Sequence, residues 1–207
     1  MAVRYTLHPE TPEQRKLRQI ADALRDGAVM LYPTDSIYAF GCLSSNNKGI
    51  EQICRLRKLD PKKARLSILC ADISQAAQFT KPISNEVFRL MKQCFPGPFT
   101  FIFNGNNQLP KLLKDRKGTI GLRIPDHPIP QALLEMTGEV LVTASLKPED
   151  LFAAGEEADL ETTFSFYEPL VDLIVDGGPT GWIPSTVVDC TVEPPQVVRE
   201  GLGKLDY

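Results

Sequence analysis

The stretch Ala28-Val-Met-Leu-Tyr-Pro-Thr-Asp-Ser-Ile-Tyr-Ala-Phe-Gly41 joins an apolar run to a polar turn. Residues 28–32 are apolar and end at a proline, which predicts a short buried strand. Thr34, Asp35 and Ser36 follow directly, at the strand end where open α/β sheets bind ligands. A plain Pro-Thr-Asp turn is the alternative reading of the same residues.

Outward from this stretch, strand and helix signals alternate along the chain. Thr11-Pro12-Glu13-Gln14 has the pattern of a capping box, and Ser84 is a second predicted cap. The predicted strands are 4–7, 28–32, 66–70, 99–103, 119–124, 140–144, 171–175, 186–190 and 196–199. The predicted helices are 12–26, 47–58, 85–94, 110–115 and 128–137.

This alternation predicts an α/β fold, as one domain over 1–207 with a mixed parallel and antiparallel sheet flanked by helices. The last three predicted strands have no helix between them, so we expect some of the pairing to be antiparallel. The acidic segment 149–168 is predicted as helix or loop. It would either cover a site as a lid or balance the charge of the basic half.

The composition excludes several classes of protein. The chain has 207 residues, 43% of them hydrophobic and 24% charged, as in an ordinary globular domain. It has no apolar run of membrane-spanning length and no signal-peptide pattern at its start, so we expect a cytoplasmic protein without a membrane partner. Five cysteines without a C-x-x-C pair and only two histidines argue against disulfides and metal sites. There is no dinucleotide-binding or P-loop glycine motif.

The charge is divided unevenly between the two parts of the chain. Residues 1–123 carry 20 Lys and Arg against 10 Asp and Glu, whereas residues 126–207 carry 3 against 16. Such asymmetry is typical of a surface that faces a polyanion. It is equally explained by two halves that neutralise each other across the fold.

Four further segments carry candidate binding residues. Six of the eleven residues in 55–65 are basic, which indicates either a phosphate-binding segment or solvated cations at a helix end. Arg123 lies in the apolar strand 119–124, so it must meet an anion, a cleft or a structural salt bridge. Thr143, Ser145 and Ser185 place hydroxyls at strand ends, where they bind anions or cap turns.

Taken together, five motifs in this order resemble the YrdC/YciO family over nearly the whole chain. The motifs are Pro33-Thr-Asp-Ser-Ile-Tyr-Ala-Phe-Gly41, Pro96-Gly-Pro-Phe-Thr100, Gly121-Leu-Arg-Ile-Pro125, Ser185-Thr-Val-Val-Asp189 and Val197-Val-Arg-Glu-Gly201. The segment Ile53-Cys-Arg-Leu-Arg-Lys-Leu59 is more similar to the YciO branch than to the YrdC branch.

The resemblance implies a twisted sheet around a basic concave surface. It also implies an activity: synthesis of L-threonylcarbamoyladenylate from L-threonine, bicarbonate and ATP, in connection with tRNA modification. ATP would be a substrate, accompanied by Mg²⁺, and no residue is assigned as a catalytic nucleophile or metal ligand. The family is also described as binding double-stranded RNA, which would make double-stranded RNA or tRNA a partner.

The resemblance implies two sets of ligand-binding residues, and the basic segment supplies a third set for RNA. The nucleotide set is Arg57, Lys63, Thr119, Ser145, Ser185 and Arg199. The threonine set is Ser36, Ser67, Arg123 and Thr143. The RNA set is Arg55, Lys58, Lys62, Lys63 and Arg65. We expect Ser36, Arg57, Ser67, Thr119, Arg123, Thr143, Ser145, Ser185 and Arg199 to line one concave pocket.

Two positions depart from the family pattern. Leu59 stands where the K-x-R motif has its arginine, and Lys147 stands where the S-x-N motif has its asparagine. Three hypotheses therefore remain open. The first is a slow threonylcarbamoyladenylate synthase, the second a non-catalytic RNA-, tRNA- or ribosome-binding protein, and the third a regulatory nucleotide binder. The sequence does not indicate the oligomeric state.

Overall fold

The structure is a computed structural model, and it describes residues 1–61, 64, 66–109, 113, 118–153 and 155–205. Two patterns of burial organise these residues: the strands in the middle of the sheet are buried on both faces, and buried apolar side chains recur on one face of each longer helix. The strands are β1 Val3–Thr6, β2 Met30–Tyr32, β3 Ala39–Leu43, β4 Ser67–Leu69, β5 Phe99–Asn104, β6 Thr119–Arg123, β7 Leu141–Ser145, β8 Leu173–Asp176, β9 Thr186–Asp189 and β10 Gln196–Arg199. The helices are α1 Gln14–Arg25, α2 Asn47–Leu56, α3 Ile73–Ala77, α4 Asn85–Cys94, α5 Pro128–Thr137 and α6 Leu160–Tyr167.

The strands named above form a single mixed sheet in the order β1-β8-β2-β3-β7-β4-β6-β5-β9-β10. The pairs β1–β8, β2–β8, β4–β6 and β5–β9 are parallel. The pairs β2–β3, β3–β7, β4–β7, β5–β6 and β9–β10 are antiparallel. The fold is thus a single α/β domain with a mixed sheet, as the sequence predicts.

Helices cover both faces of this sheet. On one face α1 packs against α5, and their side chains Leu17, Ile20 and Leu133 are fully buried with those of β2 and β8. On the other face, α2, α4 and α6 bury apolar side chains in a larger core that includes Phe40 and Phe101. Because each helix covers only part of its face, a depression remains over the middle of the sheet.

The helix ends test the two predicted caps. Ser84 caps α4 as predicted, since its Oγ accepts a hydrogen bond from the Val87 amide at 3.3 Å. The capping box at residues 11–14 is wrong: α1 begins after Glu13, which makes no side-chain cap. The Thr11 amide instead donates to His8 Nδ1 at 3.1 Å, so the histidine organises the turn that precedes the helix.

The sheet differs from the prediction at two strands and one helix. Strand β3 and the five-residue helix α3 are absent from the predicted elements. Strand β8 lies near the opposite end of the sheet from β9 and β10, so only β9 and β10 form the expected antiparallel pair. The predicted helix 110–115 lies largely outside the described residues. No helix in the described part of the chain is long and apolar enough to cross a membrane.

Candidate functional site

A cavity of about 640 Å³ occupies the depression over the middle of the sheet. Its walls come from strands β4, β5, β6, β7, β9 and β10, from the end of α2, and from the loops that follow β7 and precede β9. The volume is within the usual range for sites that bind small molecules and cofactors. The strands therefore position the lining side chains on a rigid support, while the loops close the sides.

Alternation along the central strands places polar side chains on the floor of the cavity. Thr119, Gly121 and Arg123 share one face of β6 because successive residues of a strand point to opposite faces. The register aligns Ser67 with Gly121 on one side and with Thr143 on the other. Three aligned residues thus cross three strands at the same level, with hydroxyls on β7 (Thr143) and β4 (Ser67) and a glycine on β6.

Gly121 keeps the floor open between Ser67 on β4 and Thr100 on β5. A Cβ atom placed there would lie 2.4 Å from Ser67 Oγ and 3.2 Å from Thr100 Cγ2. Any side chain at this position would therefore displace the two hydroxyl-bearing neighbours. The absence of a side chain lets Ser67 and Thr100 approach each other across β6.

Arg123 lies in the cavity wall, where it binds the turn that follows β2. Its Nη2 donates to Ser36 Oγ at 2.7 Å and to Thr34 Oγ1 at 3.2 Å, and it pairs with Asp35 Oδ1. The side chains of Arg123 and Asp35 are only 4% and 7% exposed. Both interpretations of Arg123 thus hold in part, because this arginine forms a structural ion pair and also lines the cavity.

The pair of Arg123 and Asp35 leaves part of its hydrogen-bonding capacity unused. Asp35 Oδ2 and Arg123 Nε are buried without a hydrogen-bond partner in the described chain. Buried polar atoms are normally paired, and those left unpaired are concentrated at sites that act on a ligand. Arg123 therefore has hydrogen-bonding capacity left for an anion in the cavity.

A second buried cation comes from the end of α2. The helix ends with the Leu59 amide donating to the Cys54 carbonyl at 2.8 Å and the Lys58 amide donating to the Arg55 carbonyl at 3.0 Å, which is the Schellman pattern. Lys58 takes the left-handed conformation that this ending requires, with φ of 52°. The turn directs the Arg57 side chain, which is 8% exposed, into the cavity wall.

The positive charge of Arg57 is only weakly compensated by neighbouring groups. Its Nη1 lies 3.6 Å from Asp150 Oδ2 and makes no hydrogen bond within the described residues. Burial lowers the pKa of Arg57, and the nearby carboxylate of Asp150 opposes this shift. A buried guanidinium with an unused donor is a position suited to an anionic ligand.

Hydroxyls and a third arginine form the opposite wall. Thr100 Oγ1 and Ser185 Oγ are 2.8 Å apart, and both are buried. Arg199 on β10 donates from Nη2 to the Ser185 carbonyl at 2.7 Å. The pKa of Arg199 is lowered by two causes. Partial burial is the larger one, and the positive charge of Arg123 is the smaller one. Two arginines therefore share the same part of the cavity.

The loop after β7 and the first residue of the acidic segment form one side of the cavity. Lys147, Pro148 and Glu149 line it, and the ring of Phe152 packs edge-to-face against Trp182 with 6.1 Å between the ring centroids. Trp182 also lines the cavity. Of the acidic segment 149–168, Glu149 thus lines the cavity, and Phe152 supports Trp182 in its wall.

The structure brings together most of the predicted binding residues. Eight of the nine expected lining residues face the cavity: Arg57, Ser67, Thr119, Arg123, Thr143, Ser145, Ser185 and Arg199. Ser36 does not line it, because this serine is fully buried behind Arg123 and contributes only through that side chain. Leu59 and Lys147, the two residues that depart from the family pattern, also line the cavity.

The two described residues of the predicted RNA set lie outside the cavity. Arg55 and Lys58 are exposed and line a separate groove beside α2 and α6. Lys62, Lys63 and Arg65 lie outside the described residues, so the nucleotide role predicted for Lys63 also remains a prediction.

Sequence reasoning missed the apolar part of the lining and, among its polar and aromatic residues, Thr100, Trp182 and Glu149. Thr100 had a usable signal, because it ends the quoted motif Pro96-Gly-Pro-Phe-Thr100 at the start of a strand. Trp182 is the chain's single tryptophan and lies three residues before the Ser185 motif. Glu149 had no local signal, since it is one of many acids in its segment.

Comparison with known proteins identifies the family of this fold and cavity. The family model for Sua5, YciO and YrdC proteins, described as "Telomere recombination", matches residues 22–201. The chain belongs to the Sua5/YciO/YrdC family. Within that family it is 42% identical over 201 residues to the uncharacterized protein YciO of Escherichia coli (strain K12), covering 96% of this chain and 95% of YciO. The crystal structure of that YciO superposes with a TM-score of 0.89 over 99% of this chain and 98% of YciO, at 39% identity.

Relatives with a named activity are more distant. The threonylcarbamoyl-AMP synthase of Bacillus subtilis (strain 168) is 31% identical over 195 residues, which cover 90% of this chain and 53% of the synthase. The crystal structure of Pyrococcus abyssi Sua5 complexed with L-threonine has a TM-score of 0.81 at 25% identity, over 97% of this chain and 57% of Sua5. The family thus includes threonylcarbamoyl-AMP synthases and an L-threonine-binding protein.

Proposed function

We propose that this protein binds ATP and L-threonine in the central cavity and forms L-threonylcarbamoyladenylate slowly, in connection with tRNA modification. Family homologues are threonylcarbamoyl-AMP synthases, and one is complexed with L-threonine. The observation that carries the proposal is the convergence of three arginines, Arg57, Arg123 and Arg199, with several hydroxyl side chains around one cavity of sufficient volume. The proposed domain spans 1–207, and tRNA modification implies a cytoplasmic location.

The proposed chemistry needs positioning more than a nucleophilic side chain. The amine of threonine combines with bicarbonate to give the N-carboxylate and water. A carboxylate oxygen then forms a bond to the α-phosphorus of ATP, while the bond from that phosphorus to the bridging oxygen breaks and pyrophosphate leaves. Fixed cations and hydroxyl donors stabilise the charge that moves onto the phosphate oxygens and hold the two substrates in line.

The residues divide between two ends of the cavity in this proposal. Arg123, with Ser67 and Thr143 beside it, would bind the threonine carboxylate, and Ser36 would act by holding Arg123. Arg57 and Arg199, with Thr119, Ser145 and Ser185, would bind the nucleotide. The long, flat guanidinium groups suit this task because they present paired donors to carboxylate and phosphate oxygens.

The site also fits a divalent cation that arrives with the nucleotide. Mg²⁺ that is bound through substrate phosphates needs only one or two protein carboxylates, and Glu149 lines the cavity. No cluster of three or more metal-ligating side chains occurs in the described part of the chain, so a dedicated protein cage has no support there. When bound, the ion would neutralise phosphate charge.

Purified protein incubated with ATP, L-threonine and bicarbonate tests the proposal, with pyrophosphate and the adenylate followed together. We expect slow pyrophosphate release that requires all three substrates and is lost in Arg57→Gln. Arg25→Gln is the matched control, because Arg25 pairs with Asp22 on the surface of α1. Absence of both products at high enzyme concentration would contradict the proposed activity.

RNA binding without turnover is the second candidate function. The observation that favours it is the exposure of Arg55 and Lys58 on the outer surface, in a segment that carries six cations in eleven residues. Duplex RNA would be recognised through phosphates and 2′-hydroxyls, because its major groove is too narrow for side chains. Filter binding at low salt tests this candidate, and binding should weaken steeply as salt rises.

A further inference from the structure

The groove beside α2 and α6 combines exposed cations with an exposed aromatic ring. It has a volume of about 460 Å³ and is separate from the central cavity. Arg55 and Lys58 form its basic edge, and Phe166 and Leu170 form its apolar side. Phe166 leaves 52% of its surface exposed, whereas Phe164 and Tyr167 on the same helix are buried.

The ring of Phe166 is held in place from behind. It packs edge-to-face against Tyr167, with 5.0 Å between the centroids, and Tyr167 is 3% exposed. Gln52 on α2 donates from Nε2 to the Leu170 carbonyl at 3.0 Å, which joins the turn after α6 to α2. The aromatic surface therefore belongs to a supported wall and not to a loose side chain.

The charges of the groove favour an anionic ligand. Within the described residues no ion pair joins Arg55 or Lys58 to a carboxylate. Asp150 is the acidic residue of the groove wall, and its carboxylate lies 3.6 Å from Arg57 on the cavity side. Cations for phosphates next to an aromatic surface for a base form the pattern that binds unpaired nucleotides.

We infer that this groove binds a single-stranded RNA segment, with one unstacked base on Phe166 and its flanking phosphates on Arg55 and Lys58. The inference rests on the RNA-binding candidate and goes further, because it replaces shape recognition of a duplex by stacking of an unpaired base. A duplex keeps its bases stacked inside the helix, so Phe166 would have no base to contact.

Phe88 provides a matched control on another surface. It is 38% exposed, and Lys92 Nζ lies 4.9 Å from its ring centroid. The cation already covers one face of that ring, so a base has less access to it than to Phe166. Both residues are exposed phenylalanines on short helices, and the replacement by alanine removes the same phenyl group from each.

Fluorescence anisotropy with a labelled 12-nucleotide oligoadenylate, and with a duplex of equal length, tests the inference. We expect Phe166→Ala to weaken single-strand binding by about five- to a hundredfold with an unchanged salt dependence. Phe166→Tyr should retain binding and Phe88→Ala should leave it unchanged. Arg55→Gln should lower the log-log salt slope by about 0.7.

The contrary results distinguish the groove inference from the RNA-binding candidate. If the wild type binds duplex and single strand equally and Phe166→Ala has no effect on either, the groove inference is wrong and the RNA-binding candidate stands. If the wild type binds neither probe at low salt, both are wrong. If sedimentation shows that Phe166→Ala alters only self-association, the groove is an interface between copies of the chain.

Discussion

Arg57 Nη1 lies 3.6 Å from Asp150 Oδ2 in the wall of the cavity, beyond hydrogen-bond distance, and has no other partner in the described chain. The Schellman ending of α2 forces this side chain inward, so the cation is desolvated before any ligand arrives. Desolvating a charge costs free energy unless an oppositely charged group repays it. A phosphate group at Arg57 would supply that compensation.

Replacing Arg57 should therefore separate stability from binding. In Arg57→Leu the free energy of unfolding without ligand should stay unchanged or rise, because a poorly paired buried charge is removed. The stabilisation that ATP gives to the wild type should disappear, since ligand stabilisation follows affinity. Thermal unfolding with and without ATP measures both effects. Strong destabilisation of the ligand-free variant, with ATP stabilisation intact, would assign Arg57 a structural role only.

Breaking the buried pair of Asp35 and Arg123 should be costly. Asp35→Ala leaves the guanidinium without its carboxylate, and we expect a loss of about 3–5 kcal/mol in the free energy of unfolding. The double variant Asp35→Leu/Arg123→Met should recover much of this loss while threonine binding is abolished. Urea denaturation measures the stabilities.

The surface pair of Arg25 and Asp22 is the control for this experiment. Its side chains are 47% and 69% exposed, so Asp22→Ala should cost less than about 1 kcal/mol. Equal effects of Asp35→Ala and Asp22→Ala would show that the pair in the cavity wall is not needed for stability.

Features that depend on neighbouring residues can be predicted from the sequence, whereas contacts between residues far apart in the chain cannot. Residues 28–32 and 119–124 contain strands β2 and β6, because apolar runs of this length require burial. Strand β3 was missed since its residues directly follow the polar turn, and α3 is too short to show helical periodicity. The pairing of Arg123 with Asp35 joins residues 88 positions apart, so no local pattern predicts it. The hydroxyls were accessible from the sequence because strand ends gather at one level of the sheet.

The two departures from the family pattern should limit the rate of synthesis. Both Leu59 and Lys147 line the cavity, so a change at either position acts directly on the ligand space. Leu59→Arg restores a charge-assisted phosphate contact, worth roughly tenfold to a hundredfold. Lys147→Asn restores an amide that both donates and accepts. We expect the double variant to exceed either single change in the rate of pyrophosphate release.

Val192→Arg is the control for added charge, because Val192 is exposed and lies outside the cavity. It should leave the rate unchanged. If the double variant folds and binds ATP but gains no rate, these two positions do not limit the reaction, and a different substrate becomes the better explanation.

The helix ending at Lys58 should carry local strain. A lysine with φ of 52° occupies a conformation that glycine adopts without penalty. Lys58→Gly should therefore raise the free energy of unfolding by about 0.5–1 kcal/mol, whereas Glu51→Gly within α2 should lower it by about 1 kcal/mol. Chemical denaturation of both variants measures the difference. If Lys58→Gly lowers the free energy of unfolding, the contacts of the lysine side chain stabilise the fold by more than the left-handed backbone conformation destabilises it.

The most direct measurement of ligand binding in the cavity uses Trp182, the single tryptophan of the chain. Its indole lines the cavity and packs against Phe152, so a nucleotide that enters must change its surroundings. Titration of the wild type with ATP, with and without L-threonine, should give a saturable change in tryptophan fluorescence that Arg57→Leu abolishes. Calorimetric binding of ATP without any change in this fluorescence would place the nucleotide elsewhere and contradict the assignment of the cavity.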